Sequence, residues 1–341
     1  MNFTFNEMKS SNNTTIQLID LSFDVWKAIE VLVNCVLAEV LGVFGILGNV
    51  LNIIVLTQHD MRNTTNLILT FLSVSDLIFS VLTVFYHIKN IVFFLNIYLS
   101  YSLNSYYYQF FDGIKLLFLF TSTYFVTMLS VERMIAVCFP FHVARIVTTF
   151  RIKCAAIVIL FLLAGLLTPL FCITYLDIAI VDNITFTQRS VTSFFVNNYA
   201  FLMYFYFSTL TNIYSMVIPI IIVLMCNIAT VIKLNSSSEK RKDLSINTNS
   251  KRIKDLRSIK ISFFLSTALI LFVLVPSGII ETLIGQKIIA DDLSLRTVTL
   301  IIDSENLLYI VNSSFNFVLY VITSPKFAQT FKNLFNYKTK I

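Results

Sequence analysis

Seven apolar stretches, each longer than twenty residues and set apart by short polar breaks, constrain this chain more than any other feature: residues 31–57, 65–87, 106–138, 152–174, 205–234, 259–285 and 298–323. A helix needs about 20 apolar residues to cross the hydrocarbon of a bilayer, and it satisfies its backbone polar groups without water. Apolar residues make up 57% of the 341 positions and charged residues 13%, a balance that excludes a soluble globular domain. The polar segments are too short to build a second core. The expected fold class is an all-α membrane protein: a seven-transmembrane helix bundle with a short amphipathic eighth helix on the cytoplasmic side. Residues 1-30 are expected to form an extracellular tail, 31-323 the transmembrane domain, and 324-341 the amphipathic helix and cytoplasmic C-terminus. The tail carries Glu7, Asp20, Asp24 and Glu30 and lacks the pattern of a signal peptide, so the first span is expected to direct insertion.

Lysine and arginine accumulate on the cytoplasmic side of a membrane protein. One face gathers Arg62, Arg145, Arg151, Lys153, nine basic residues between Lys233 and Lys260, and then Lys326, Lys332, Lys338 and Lys340. The other has Lys9, Lys27, Lys89, Arg189, Lys287 and Arg296. An outside N-terminus, an inside C-terminus and a multi-pass place in the plasma membrane are therefore expected. Asn2, Asn12, Asn13 and Asn183 head glycosylation triplets on the outer face, although Asn63 and Asn235 head similar ones on the inner face. The net charge of +6 follows from the inner-face bias and suits acidic partners or anionic lipid, not nucleic acid.

A charge at the bilayer centre costs about 3 kcal/mol or more unless shielded, so the few intramembrane polar groups stand out. Asp76 lies mid-way along the second stretch, Asn49 on the first, Ser122 on the third, and Asn312 and Asn316 four residues apart on one face of the last. They suit a buried cluster that is either purely hydrogen-bonded or holds a small cation against Asp76. Glu132-Arg133-Met134 closes the third stretch. The acid and base either pair until a partner releases them, or Arg133 simply snorkels to the interface. Lys115 precedes Arg133 by 18 residues, which is five turns or about 27 Å on the same helix face. Asp112, Glu281, Asp303 and Glu305 are the acids within its half of the bundle. Lys115 and Glu281 either form an internal salt bridge, or line a ligand pocket with Asp112, His87, Asn306 and Thr211. In that pocket Lys115 would meet a carboxylate or carbonyl, and Glu281 a basic group.

Gly48-Asn49-Val50, Leu72 with Asp76, Glu132-Arg133-Met134, Pro219, Pro276 and Asn316-Phe317-Val318-Leu319-Tyr320 fall in an order and spacing that resembles the rhodopsin-like G protein-coupled receptors. The run Asn312-Ser313-Ser314-Phe315-Asn316-Phe317, and Pro219 followed by Asn227, resemble invertebrate FMRFamide-type neuropeptide receptors and their chemosensory relatives. The resemblance implies a receptor that binds an extracellular peptide or small-molecule ligand and activates a heterotrimeric G protein. It implies that Arg133 engages the G protein with Glu132 as its resting partner, that Tyr320 swings toward the core on activation, and that Pro276 is the pivot of a moving helix. It also implies that Asp76, Ser122, Asn312 and Asn316 line a pocket for an allosteric sodium ion, with no other cofactor. Several positions depart from the family pattern. Tyr108 stands where the third helix usually carries a disulfide cysteine, Leu274 where a tryptophan is common, and Phe317 in place of a proline.

After the last stretch, Ser324-Pro325 reads as a helix cap and start. Phe327, Phe331, Leu334 and Phe335 recur at helical spacing beside Lys326, Lys332 and Lys338, the pattern of a helix lying on the inner leaflet. An enzyme reading has no support, since His59, His87 and His142 are scattered and no catalytic motif is present. The alternative from another class is a seven-helix ligand-gated channel or small transporter; a transporter would be expected to show repeated halves and broken helices.

Overall fold

The computed structural model describes residues 29, 31–58, 63–93, 95–181, 184–243 and 295–336. The stretch 259–285 with Leu274, Pro276 and Glu281, and the asparagines Asn2, Asn12, Asn13 and Asn183, lie outside the described residues. Among the described residues, six helices are long and apolar enough to cross a membrane. They are the first (Val31–Leu56), second (Thr64–Phe93), third (Asp112–Cys138), fourth (Thr149–Cys172), fifth (Thr209–Ser236) and last (Asn306–Thr323) spanning helices, on six of the seven expected stretches. At 1.5 Å per residue even the last, with 18 residues, covers about 27 Å.

Local chemistry sets where these helices end or change pitch. The fourth is α-helical to Leu167 and tightens into a 3-10 turn over Thr168–Cys172, because Pro169 has no N–H to continue the ladder. The fifth is a wide π-type helix over Phe201–Thr211 and Ile213–Val217, and it becomes α-helical at Ile218, one residue before Pro219. The last is interrupted at Phe315, between helices Leu295–Ser314 and Asn316–Thr323.

Large apolar side chains such as Val40, Leu47, Phe161, Ile228 and Ile232 are exposed, which suits a surface solvated by lipid. Inside, apolar packing forms two clusters. One joins Phe79, Leu119, Phe120, Met216, Val223 and Ile310; the other joins Val55, Ile68, Leu72, Phe125, Ile152 and Phe327. On the second helix Asp76 falls between Leu72 and Phe79, and on the third Ser122 falls between Phe120 and Phe125. Asn49 precedes Val55 and Ser313 follows Ile310. A polar layer thus separates two apolar ones.

The first helix packs closely through small residues, as membrane helices do where side-chain volume would hold backbones apart. A Cβ on Gly42 would stand 2.7 Å from Val84, and one on Gly45 would stand 2.6 Å from the Ser314 hydroxyl and 2.8 Å from that of Ser80. At the same contact Ser314 Oγ donates to Leu41 O at 2.9 Å, and Asn49 Nδ2 donates to Ser313 O at 3.0 Å. A methyl alone could be offset by better helix propensity, worth up to about 1 kcal/mol. Gly45→Val adds branched bulk against two helices, and the expected overpacking cost is about 1–3 kcal/mol. The variant should unfold at a lower temperature than the parent in detergent; an unchanged midpoint would contradict this packing.

The all-α expectation needs one amendment. Thr174–Val181 and Ile184–Val191 form an antiparallel hairpin in register from Thr174↔Val191 to Val181↔Ile184. It lies against a helix, Ile97–Phe110, that precedes the third spanning helix and is capped by the Asn96 side chain accepting from Leu99 N at 3.0 Å. Ser102 Oγ accepts from Thr187 N at 3.1 Å, and Thr174 Oγ1 donates to Gln109 Oε1 at 3.1 Å. Phe186 packs on Tyr98 with ring centres 5.6 Å apart. Cys138, Cys154, Cys172 and Cys226 are free thiols, so among the described residues these contacts hold the hairpin without a covalent link.

The C-terminal helix spans Pro325–Asn336, and Ser324 Oγ accepts from Phe327 N at 3.3 Å, as the expected cap requires. Phe327 is 1% exposed. Its ring meets Phe317 and Tyr320, and Phe331 meets Phe317 at 5.3 Å. The sequence assigned the whole phenylalanine stripe to lipid, whereas part of it packs against the bundle, with Phe317 filling the joint.

Candidate functional site

The polar layer centres on Asp76, which is 1% exposed. Ser122 Oγ donates to its Oδ1 and Asn316 Nδ2 to its Oδ2, both at 2.6 Å. Three helices therefore meet on one carboxylate, as the intramembrane polar residues suggested. Two members of the expected cluster make no hydrogen bond to Asp76 among the described residues. Asn49 donates to Gly45 O and Ser313 O, each at 3.0 Å, tying the first helix to the last and leaving Asp76 to others. Asn312 is half-buried, and no hydrogen bond joins it to Asp76 among the described residues. Each Asp76 oxygen accepts one bond, while an ionised carboxylate has roughly four acceptor positions. The donors available to an ion are oxygens, as a hard cation prefers, so the residues present fit a small cation.

At the far end of the third helix Glu132 is buried, and its Oε1 accepts from Thr65 Oγ1 at 2.8 Å. Arg133 is half-buried within electrostatic reach of Glu132 and Tyr320, and Met134 is half-buried beside it. The Tyr320 hydroxyl is buried without a hydrogen-bond partner among the described residues. The sequence reading missed Thr65, because a threonine one turn into a helix carries no signal of its own.

At the hairpin end Lys115 is buried, and its Nζ stands 3.2 Å from Asp112 Oδ1. The acid it meets among the described residues is thus one turn away on its own helix; Glu281 lies outside them. His87 is buried, with its ring 4.9 Å from that of Tyr86. Thr211 is buried and donates to Tyr206 O at 3.0 Å, and Asn306 is half-buried on the last helix. Four residues of this region were not anticipated as a group: Tyr86, Lys89, Tyr108 and Arg189. The Tyr86 and Tyr108 hydroxyls are 3.0 Å apart, and Arg189 of the hairpin lies 4.5 Å from the centre of the Tyr108 ring. Tyr108, noted only as a missing cysteine, ties the third-helix extension to the hairpin in another way. The run Tyr106-Tyr107-Tyr108 was the one hint.

Comparison with known proteins fits this arrangement. A section of the FMRFamide receptor of Drosophila melanogaster is 25% identical over 323 residues, covering 90% of this chain and 54% of that protein. The growth hormone secretagogue receptor type 1 of Sus scrofa is 33% identical over 120 residues, covering 35% of this chain and 31% of that protein. The chain thus spans about half and about a third of the lengths of these curated relatives. The pattern of the 7 transmembrane receptor (rhodopsin family) matches residues 48–320, from the glycine stripe through Asp76 and Arg133 to Tyr320. By that match the chain belongs to the rhodopsin family of 7 transmembrane receptors.

Proposed function

We propose that this protein is a plasma-membrane receptor that binds an extracellular ligand, a neuropeptide or chemosensory cue, and activates a heterotrimeric G protein. Membership in a receptor family makes it no enzyme. The observation that carries the reading is the alignment of three polar stations along the third helix: Lys115, Ser122 bonded to Asp76, and Arg133 beside Glu132. The relatives support a peptide as the ligand class, since one is an FMRFamide receptor and the other a growth hormone secretagogue receptor.

In this reading Arg133, with Glu132, Met134 and Tyr320, forms the G protein end. Asp76, Ser122, Asn312 and Asn316 form the seat of an allosteric sodium ion. Lys115, Asp112, His87, Glu281, Asn306 and Thr211 border the ligand cavity. Asn2, Asn12, Asn13 and Asn183 carry glycans, and the C-terminal helix rests its lysine-rich side at the inner leaflet. A screen of peptides and volatile compounds on cells expressing the chain, read by G protein activation, tests the assignment; activity in that screen that is indifferent to G protein loss would refute it.

The orientation has its own test. Epitope tags at the two termini should stain at the N-terminus on intact cells and at the C-terminus only after permeabilisation. Staining of the C-terminal tag on intact cells would overturn the receptor reading and favour a channel.

A further inference from the structure

One acid inside the membrane belongs neither to the polar layer nor to either end of the third helix. Glu39 lies on the first spanning helix, eight residues after Val31, or about 12 Å along the axis. With 26 residues that helix is about 39 Å long, about 9 Å more than the hydrocarbon is thick. Glu39 is therefore within the hydrocarbon whichever terminus faces out. It is half-buried, and its Oε1 is covered by protein without a hydrogen-bond partner among the described residues. An ionisable group at such a depth marks a functional contact and calls for a named partner.

Counting on from Glu39 by four and three residues in turn gives Val43, Ile46, Val50 and Ile53. None of the five is buried, and Val43 is 47% exposed. The buried side of the helix runs instead through Ala38, Gly42, Gly45 and Asn49. Alternate steps of four and three are the spacing at which two helices lie side by side at a shallow crossing. Any outward helix face has an apolar stripe of this kind. What distinguishes this one is a carboxyl set in line with it.

Lipid tails carry no hydrogen-bonding group, so at this depth the carboxyl finds a partner only on protein. A carboxyl in hydrocarbon is neutral, because its ion would lose its water. The neutral group has a donor and an acceptor and is complementary to itself. Copies of one chain enter a membrane in one orientation, so two copies related by a two-fold axis along the membrane normal bring like residues together at equal depth. We infer that two copies of this chain associate along the Glu39, Val43, Ile46, Val50, Ile53 seam of the first helix, with the two Glu39 carboxyls hydrogen-bonded to each other. Valine and isoleucine are stiff at χ1 and lose little freedom when such a seam closes.

The test uses the full-length chain in phosphatidylcholine vesicles, tagged at its C-terminus with a donor or an acceptor dye. Energy transfer is followed as the protein is diluted in lipid. The parent should show transfer that falls at a defined density. Glu39→Gln keeps a donor and an acceptor and should dissociate within about twofold of that density. Glu39→Leu has neither and should dissociate at a density about 5- to 30-fold higher, the worth of a polar contact between membrane helices. Val43→Trp should weaken pairing by holding the helices apart. Ile157→Trp, at a 54% exposed position of the fourth helix, should not. A parent that is monomeric at every density, a Glu39→Leu chain that pairs like the parent, or a Glu39→Gln chain that fails like Glu39→Leu would overturn the inference. So would equal pairing of Val43→Trp and Ile157→Trp, two changes at exposed positions that spare the fold. No ligand or G protein is present, so the outcome stands apart from the receptor assignment.

Discussion

Arg133→Ala is expected to remove ligand-stimulated G protein activation while surface expression and ligand binding stay near the parent's level. Arg133 sits near the end of the third helix, within the fields of Glu132 and Tyr320, so it belongs to a place where two spanning helices meet. Glu132 keeps the 2.8 Å bond that its Oε1 accepts from Thr65, which offsets part of the several kcal/mol that a buried acid without any partner would cost. Folding should therefore survive a change that deletes the contact proposed for the G protein. Coupling between distant sites is commonly worth about 5- to 150-fold, and loss of the whole contact should reach or exceed that range in nucleotide exchange. Undiminished exchange at matched surface levels would remove Arg133 from the coupling role.

Asp76→Asn is expected to abolish any dependence of agonist affinity on sodium and to leave the bundle folded. The carboxylate is the formal negative charge of the polar layer, and the new amide has nearly the same shape. Asn316 Nδ2 can still donate to the amide oxygen, and the Ser122 hydroxyl, a donor now at 2.6 Å, can turn and accept from the amide nitrogen, because a hydroxyl does either. The hydrogen bonds are kept while the attraction for a cation is lost. Titration of agonist binding in sodium against a large organic cation separates the two readings of this layer. If parent and variant respond alike to sodium, the layer is a hydrogen-bonded core without an ion.

The parts legible in the sequence were those fixed by short-range rules. The spanning stretches followed from their length, and the bond of Asp76 to Ser122 and Asn316 from the cost of burying a carboxylate alone. The Ser324 cap followed from local turn chemistry. The residues that escaped depend on which segments meet across the bundle. Asn49 looked like a partner of Asp76 but reaches the Ser313 carbonyl, a group that no side-chain pattern reveals. The 174–191 segment carries β-branched residues on both sides of Asp182-Asn183, a weak hairpin signal beside the much longer apolar stretch 152–174. Lys89 and Arg189 were read only as charges on one face of the membrane. Tyr86, one helical turn before Lys89, hints at its ring contact, whereas nothing near Arg189 in sequence tells that it lies on Tyr108.

The hairpin is held to the bundle by hydrogen bonds and ring contacts, each worth about 0.5–1.5 kcal/mol. Such contacts form and break without chemistry, so the hairpin is set in place as soon as the helices assemble and does not wait for thiol oxidation. The same clasp works alike in oxidising and reducing surroundings. Its release from the bundle is a matter of temperature, since no covalent bond has to break.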